Sequence, residues 1–575
     1  MLDTALRGGT VIDGTGRPAR TADIGIRDGR IVDIGRIDEP THTDVDVRDL
    51  VVSPGIVDVH THYDAQLFWD PAATPSCFHG VTTVLGGNCG FTLAPNPGGD
   101  YLMRLMARVE GIPLAALEAG LPWDWTTYSD WLDRLDGKIA VNAGFLCGHS
   151  ALRAFVMGAA ATERTATPDE IKAMVRLLHG AIDAGALGFS SSQTVNHNDG
   201  DGRPVPSRFA SESELLALAG AVSSHAGTSV EWITSGVLHG FSDEEVDLLA
   251  NVSLAANRPL NWNALGVSRS DPDGHWQRLH ACTVAAQRGA TVVGLAVPAP
   301  VSTRVSFVTG FVIDGIPGWS EVLALPLPER RRALADPAVR RRLAEGFASP
   351  DAGLLRDLVD WERVTVGETF ADENKQYEGR LGGDIARERG VSALDAILDI
   401  VVDDDLRTGL ESAPMGDDPE TWRMRADTWD DPRVVLGGND AGAHLDIMCS
   451  VVNTSIHLGP TVRDRGLVSL EQAVRQLTDI PARLYGLRGR GRIAPGYWAD
   501  LMVFDPDRIG AGPVRTVADL PAGASRLYAE ATGIHRVLVN GTTVVHDCRL
   551  TGDEPGTLLR SGRDTYTVEA GTFSP

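Results

Sequence analysis

The stretch GIVDVHTHYDAQLFWDP, residues 55–71, ends an apolar run with His60 and His62 one residue apart. Side chains alternate across a strand, so residues two apart share a face. Two imidazoles side by side at a strand tip suit a metal, because neutral imidazole is the commonest protein ligand for a catalytic metal. The competing reading is a pair of surface or hydrogen-bonded histidines. Other short apolar runs end in similar chemistry: Cys89 in GGNCGF, His149 in CGHSALR, His197 in GFSSSQTVNHNDGDGRPVPSR, and Asp440 with His444 in GGNDAGAHLD. Each has a plain reading alone. A buried cysteine behaves as a small hydrophobe, and an aspartate before Ala-Gly marks a turn. Histidine, cysteine and aspartate gathered from several strand tips are the ligand types of a divalent metal.

Such a gathering needs a scaffold that points strand ends at one place. GIVDVHTH, VTTVLGG, IAVNAGFLCG, ALGFSSS, TSVEWITSG, RPLNWNALG, TVVGLAVPAP and RVVLGGNDAG read as strands, with helical patterns such as PDEIKAMVRLLHGAIDAG and SESELLALAGAVSSHAG between them. This alternation predicts an α/β fold, a (β/α)8 TIM-type barrel with catalytic groups at the C-terminal strand ends; an open doubly wound sheet is the alternative. The two ends of the chain read differently. GGTVIDGTG, ADIGIRDGRIVDIG and TDVDVRDLVVSPG, then ADLMVFDP and IHRVLVNGTTVVHD, are short strands with turn residues, the last with a hairpin turn at Asn540-Gly541. Residues 1–54 and 487–575 are therefore expected to form one small composite β-sandwich domain, and 55–486 the barrel. An insertion around 315–365 is expected over the barrel mouth, as a lid or as a plain surface excursion.

Composition narrows the partners. A 575-residue chain with 43% hydrophobic residues builds a large core, and a net charge of −25 argues against nucleic acid and anionic membranes. No apolar stretch nears the roughly 20 residues that span a bilayer, and the N-terminus has no secretory pattern. The six cysteines lack a disulfide-framework spacing, so a reduced, cytoplasmic setting is expected. Lys138, Lys172 and Lys375 are the only lysines.

The motifs SPGIVDVHTHYD, GVTTVLGGNCGF, GALGFSSS, EGRLGGDIARERGVSALDAILDIV, NDAGAH and GRIAPGYWADLMVFD resemble the amidohydrolase superfamily, and within it the N-acyl-D-amino-acid deacylase (D-aminoacylase) family, along nearly the whole chain. The resemblance implies a barrel with a composite β-domain and amide hydrolysis with bound zinc. It carries over His60, His62 and Asp440 as ligands of one metal site, Cys89 as a further zinc ligand, and Asp440 as the proton shuttle. Two departures stand out. Where the family has histidines at the fifth and sixth strand tips, this chain has Trp232 and either Asn263 or Ala264, and the lysine that follows is Gly266. None of the three lysines is placed to form the carbamylated bridge of other amidohydrolases. One Zn2+ per chain is favoured, with another divalent metal as the alternative; His149, His197 or His239 are substitutes for the missing ligands.

The expected function is hydrolysis of a non-peptide C–N bond in a small-molecule amide, as in an N-acyl-D-amino-acid deacylase. Hydroxide generated at the metal would attack the carbonyl, with Asp440 as proton shuttle. His149 would aid the oxyanion or make a structural hydrogen bond. Arg153 and Arg380 would pair with a substrate carboxylate, or sit in ion pairs. Trp232 and Trp262 would give the pocket an aromatic side, or pack in the core. The competing functions are cyclic-amide hydrolysis of the hydantoinase or imidase kind and a non-catalytic binding protein with a vestigial metal site. The chain is compatible with a homo-oligomer.

Overall fold

The structure, a computed structural model, describes residues 1–300, 302–310, 313–352, 359–412 and 416–573, with the side chain of His239 outside the described set. Parallel strands alternate with helices through the middle of the chain. They are β1 (Ile56–Asp58), β2 (Val81–Gly86), β3 (Asn142–Phe145, resuming at Cys147–Gly148), β4 (Gly188–Gln193), β5 (Ser229–Thr234), β6 (Leu260–Leu265), β7 (Val292–Ala296) and β8 (Val434–Leu436). Each pairs in parallel with the next. Just past β1 and β8, Thr61 and Ala441 form a parallel bridge, and the His62 N–H donates to the Ala441 carbonyl at 2.8 Å.

The strands are buried on both faces, and the faces have different partners. Val57, Val59, Leu85, Leu187, Val293, Leu295 and Val435 share one cluster with Ile480, Leu484 and Tyr485. Ile56, Val84, Phe189, Val230, Trp232, Leu260, Trp262, Val292 and Leu436 join the helices in the largest core. Burial on both sides is the rule for parallel strands covered by helices; here buried polar residues such as Ser190, Glu231, Asn261 and Asn263 interrupt the apolar run. The helices start where local chemistry dictates. Thr167 and Glu170 form a reciprocal capping box ahead of Pro168–Asp183, with proline in the first turn, and Ser242 with Glu245 does the same for Asp243–Ala256.

Both ends of the chain meet in one nine-stranded sheet. Val51–Pro54 joins Leu2–Val11 on one side and Leu501–Phe504 on the other, with Met502 opposite Ser53. Alternation again sets the packing: Leu501 and Val503 face the sheet's own core, whereas Met502 and Phe504 face the main core. The hairpin joining Ile534–Val539 to Thr542–His546 turns through Asn540 and Gly541 at φ 48° and 80°, the two positive values of a type I′ turn. Val51–Pro54 leads through Gly55 straight into β1, so the terminal sheet fixes the start of the strand that carries His60 and His62.

A separate core lies between β7 and β8. Val305, Phe307, Trp319, Leu334, Trp361, Ile385, Ile397 and Leu410 pack together, and Trp319 stacks on Trp361 at 5.5 Å. This unit is wider than the expected 315–365. The helices Gly382–Arg389 and Ala393–Asp403 bury their apolar faces here, although their motif reads as part of the alternating strand–helix region. It touches the loop after Asp440: the Arg304 N–H donates to the Ile447 carbonyl at 2.5 Å, and Thr309 bonds Asp446.

Candidate metal centre

Four side chains from β1, β2 and β8 meet at one point. The Asp440 Oδ1 lies 3.1 Å from His60 Nε2 and 3.5 Å from His62 Nε2, and Cys89 Sγ lies 3.4 Å from His60 Nε2. Among the described residues, His60, His62 and Cys89 are the set whose ligand atoms all fall within 4.8 Å of one another. Zinc bonds of about 2.0–2.1 Å to nitrogen and about 2.3 Å to sulfur set ligands some 3.3–3.6 Å apart around a tetrahedron. The observed separations, 3.1–3.5 Å, lie close to that spacing.

The backbone is bent to make this possible. Cys89, Asp440 and His444 hold φ values of 55°, 51° and 51°, in the left-handed region that non-glycine residues rarely enter. Gly87, at φ 73°, starts the turn that carries Cys89; a Cβ there would meet the Leu146 carbonyl oxygen at 2.2 Å. The Cys89 N–H then donates to Glu231 Oε2 at 2.7 Å.

Glu231 and Glu110, which the sequence reading missed, stand beside the two imidazoles. Glu231 is fully buried on β5, with Oε1 3.9 Å from His60 Nδ1. Glu110 caps the helix Tyr101–Val109 and sets its Oε1 3.3 Å from His62 Nδ1. Strand parity was the missed signal for Glu231. A lone carboxylate in the apolar strand SVEWIT belongs on the inner face with Asn261 and Asn263, and its neighbour Trp232 then faces outward. Nothing in the sequence marks Glu110.

The electrostatics describe a seat for a cation. Burial pushes Glu110 up to about 7, Glu231 to about 8, Asp58 to about 7 and Asp64 to about 6. Burial opposes charge on Asp440 as well, but the imidazoles of His60 and His62 outweigh it and hold the carboxyl well below the usual carboxylate range. Burial likewise disfavours the His62 cation, yet Glu110 and Asp440 raise that ring to about 9. Buried polar atoms without hydrogen-bond partners gather here too: His60 Nδ1, His62 Nδ1, Glu110 Oε1, Glu231 Oε1 and Asn263 Oδ1. A crowd of buried carboxylates and imidazoles fits a divalent cation in donor type, charge and spacing.

The remaining expected site residues divide. Asn263 reaches the centre, its Nδ2 3.3 Å from His60 Nε2 and 3.2 Å from Asp440 Oδ1. His444 follows Asp440 on the same loop, its N–H donating to the Glu110 carbonyl at 2.5 Å. His197 stands beside them, bonded to Ser192 Oγ at 2.8 Å and packed on Phe91; burial, with His444 and His62 nearby, pushes it down to about 3. His149 does not reach the centre. It bonds Ser191 Oγ at 2.8 Å and Glu214 Oε1 at 2.9 Å, and Arg153 Nη1 donates to both Glu214 oxygens at 2.6 and 2.5 Å. His149, Glu214 and Arg153 form a fully buried triad. Removing one partner of a buried pair costs about 3–5 kcal/mol, so Glu214→Ala is expected to lower the thermal unfolding midpoint sharply in calorimetry while the metal content stays unchanged.

Three further candidates have other surroundings. Trp232 does not line a pocket: it turns to the helix side against Phe189, centroids 5.8 Å apart, because Glu231 takes the inner face. Trp262 likewise packs on Phe241 at 5.1 Å. Arg380 is held in the separate unit, paired with Glu388 and lying over Tyr377, and is not brought to the centre. His239, a candidate substitute ligand, has its side chain outside the described residues.

Known proteins resemble this chain in sequence and fold. A family model described as "Amidohydrolase family" matches residues 44–314 and 333–545. D-aminoacylase of Alcaligenes xylosoxydans xylosoxydans is 31% identical, with 97% of each chain covered. A solved D-aminoacylase, with a binuclear metal center showing one-metal activation and second-metal attenuation, is 27% identical at a TM-score of 0.65, covering 97% of this chain and 100% of its own. The N-acyl-D-glutamate deacylase of Bordetella bronchiseptica, complexed with zinc and a phosphonate mimic of the tetrahedral intermediate, is 25% identical at a TM-score of 0.64, with the same coverage. Matched by the family model over most of its length and by a relative along nearly all of it, the chain belongs to the amidohydrolase family, alongside D-aminoacylase.

Proposed function

We propose that this protein is a metal-dependent hydrolase of small-molecule amides, a deacylase of a non-peptide C–N bond. The convergence of His60 Nε2, His62 Nε2, Cys89 Sγ and Asp440 Oδ1 carries this reading. The relatives named D-aminoacylase and N-acyl-D-glutamate deacylase support it. The eight parallel strands are read as a closed (β/α)8 barrel, with the Thr61–Ala441 bridge joining its first and last strands. Residues 1–54 and 487–575 form its composite β-domain, and 55–486 the barrel with its insertion.

His60, His62, Cys89 and Asp440 would hold one ion, zinc by the softness of the thiolate and imidazole donors. A divalent cation in such a site lowers the pKa of water from about 16 toward 7 and polarises a carbonyl. Asp440 does the proton work. Its side chain is 23% exposed where both imidazoles are buried, so it faces both the ion's seat and the incoming substrate. It takes a proton from the attacking water and returns it to the leaving nitrogen, so that one amide and one water become an acid and an amine. The Asn263 amide donates to Asp440 Oδ1 and holds that oxygen in place. All six cysteines are unpaired, which suits a cytoplasmic setting.

The substrate is read as less dependent on a carboxylate than those of the deacylase family. Arg153 is consumed by Glu214, Arg380 is paired with Glu388, and position 266, where the family resemblance implies a lysine, is glycine. A Cβ at Gly266 would meet nothing within 4 Å, so there is room for a side chain. Slow turnover of N-acetyl-D-amino acids is expected from the zinc-loaded protein, followed by amine release across a panel of N-acyl compounds. A charge partner for a desolvated carboxylate is worth about 2–5 kcal/mol. Gly266→Lys is therefore expected to raise kcat/KM for N-acetyl-D-methionine by about tenfold or more. No amine release from any compound of the panel would count against hydrolysis itself.

A further inference from the structure

The geometry points to Glu110 and Glu231 as positioning residues for the metal centre, each fixing one imidazole from behind. This rests on the metal reading above. The two rings present Nε2 to Asp440 and turn Nδ1 the other way. Behind His62 Nδ1 stands Glu110 Oε1 at 3.3 Å, and behind His60 Nδ1 stands Glu231 Oε1 at 3.9 Å. All four atoms are buried and lack hydrogen-bond partners, and they pair off two by two. A carboxylate behind Nδ1 keeps the proton on that nitrogen and leaves the Nε2 lone pair for a cation.

Each carboxylate residue also ties a second part of the centre to its imidazole. Glu231 Oε2 accepts the Cys89 N–H at 2.7 Å, holding the turn in which Cys89 sits at φ 55°. The Glu110 carbonyl accepts the His444 N–H at 2.5 Å, anchoring the loop that begins at Asp440. Glu231 thus links β1, β2 and β5, and Glu110 links β1 to the loop after β8. The two glutamates sit on unrelated elements, a strand and a helix cap, yet occupy equivalent places around the two rings. The imidazoles are charge partners of both glutamates.

The test is metal affinity in the full-length protein. Glu110→Gln and Glu231→Gln keep the side-chain shape and remove the charge; Glu110→Ala and Glu231→Ala remove the group. Zn2+ affinity is measured by competition with a chromophoric chelator, the Co2+ absorption spectrum reports the ligand field, and melting of the metal-free forms reports folding. Each Gln variant is expected to bind Zn2+ about 10- to 100-fold more weakly, with a shifted Co2+ band, an unchanged ion count and near wild-type melting without metal. The Ala variants are expected to bind more weakly still. Wild-type affinity and spectrum in all four variants would overturn the inference while leaving the metal reading intact. A wild-type protein that takes up neither Zn2+ nor Co2+ would overturn the metal reading itself, and this inference with it.

Discussion

Replacing Asp440 with asparagine is expected to lower kcat by about 10²- to 10⁴-fold, the usual worth of a positioned acid–base group. Asparagine keeps the shape and one oxygen but cannot take a proton from water or hand it to the departing nitrogen. KM is expected to change little, because the lost interaction belongs to the transition state. His60, His62 and Cys89 remain, so the ion is expected to stay bound, more weakly. Steady-state kinetics paired with metal content reads both. An Asp440→Asn protein with near wild-type kcat would move the proton work to another group, with His197 and His444 the nearest candidates.

The second large effect belongs to the strand that opens the barrel reading. His62→Ala removes one donor and leaves Glu110 buried opposite an apolar methyl group. Three donors then remain, from His60, Cys89 and Asp440. The ion is expected to be lost on dialysis and hydrolysis to fall to background. Binding to the folded state alone stabilises by about 2.7 kcal/mol when ligand is at a hundred times Kd. The thermal midpoint of the wild type should therefore rise on adding Zn2+, and that of His62→Ala should not. Without metal His62→Ala is expected to melt lower, because Glu110 loses its buried partner, so the Zn2+-induced rise, and not the absolute midpoint, reports metal binding. A His62→Ala protein that retains its ion and its turnover would show that the pair on β1 does not hold the metal.

Much of the scaffold was legible because its cues are local. The strand run before His60, the capping boxes at Thr167 and Ser242, and the Asn540-Gly541 turn are each set by a few adjacent residues. The alternation of short apolar runs and amphipathic patterns gave the α/β class. His60, His62, Cys89 and Asp440 could be named because strand tips of one parallel array point the same way. Facing was harder to read. The strand SVEWIT carries an apolar side chain on each side, so its single charge is the best sign of which face looks inward, and taking Trp232 as the inward residue hid Glu231. Glu110 lies outside any strand, on a helix cap whose approach to His62 is a tertiary fact. The separate core around Trp319 and Trp361 was underestimated for a related reason. Its two later helices, Gly382–Arg389 and Ala393–Asp403, carry ordinary amphipathic patterns that do not reveal which core they serve.

The most direct measurement is the number and position of ions per chain, from metal analysis of the purified protein and anomalous diffraction at the zinc edge. One well-occupied ion is predicted in bonding distance of His60, His62, Cys89 and Asp440, since β5 and β6 bring Glu231 and Asn263, rather than imidazoles, to this point. A protein without metal, an ion bound away from these side chains, or two equally occupied ions would contradict it.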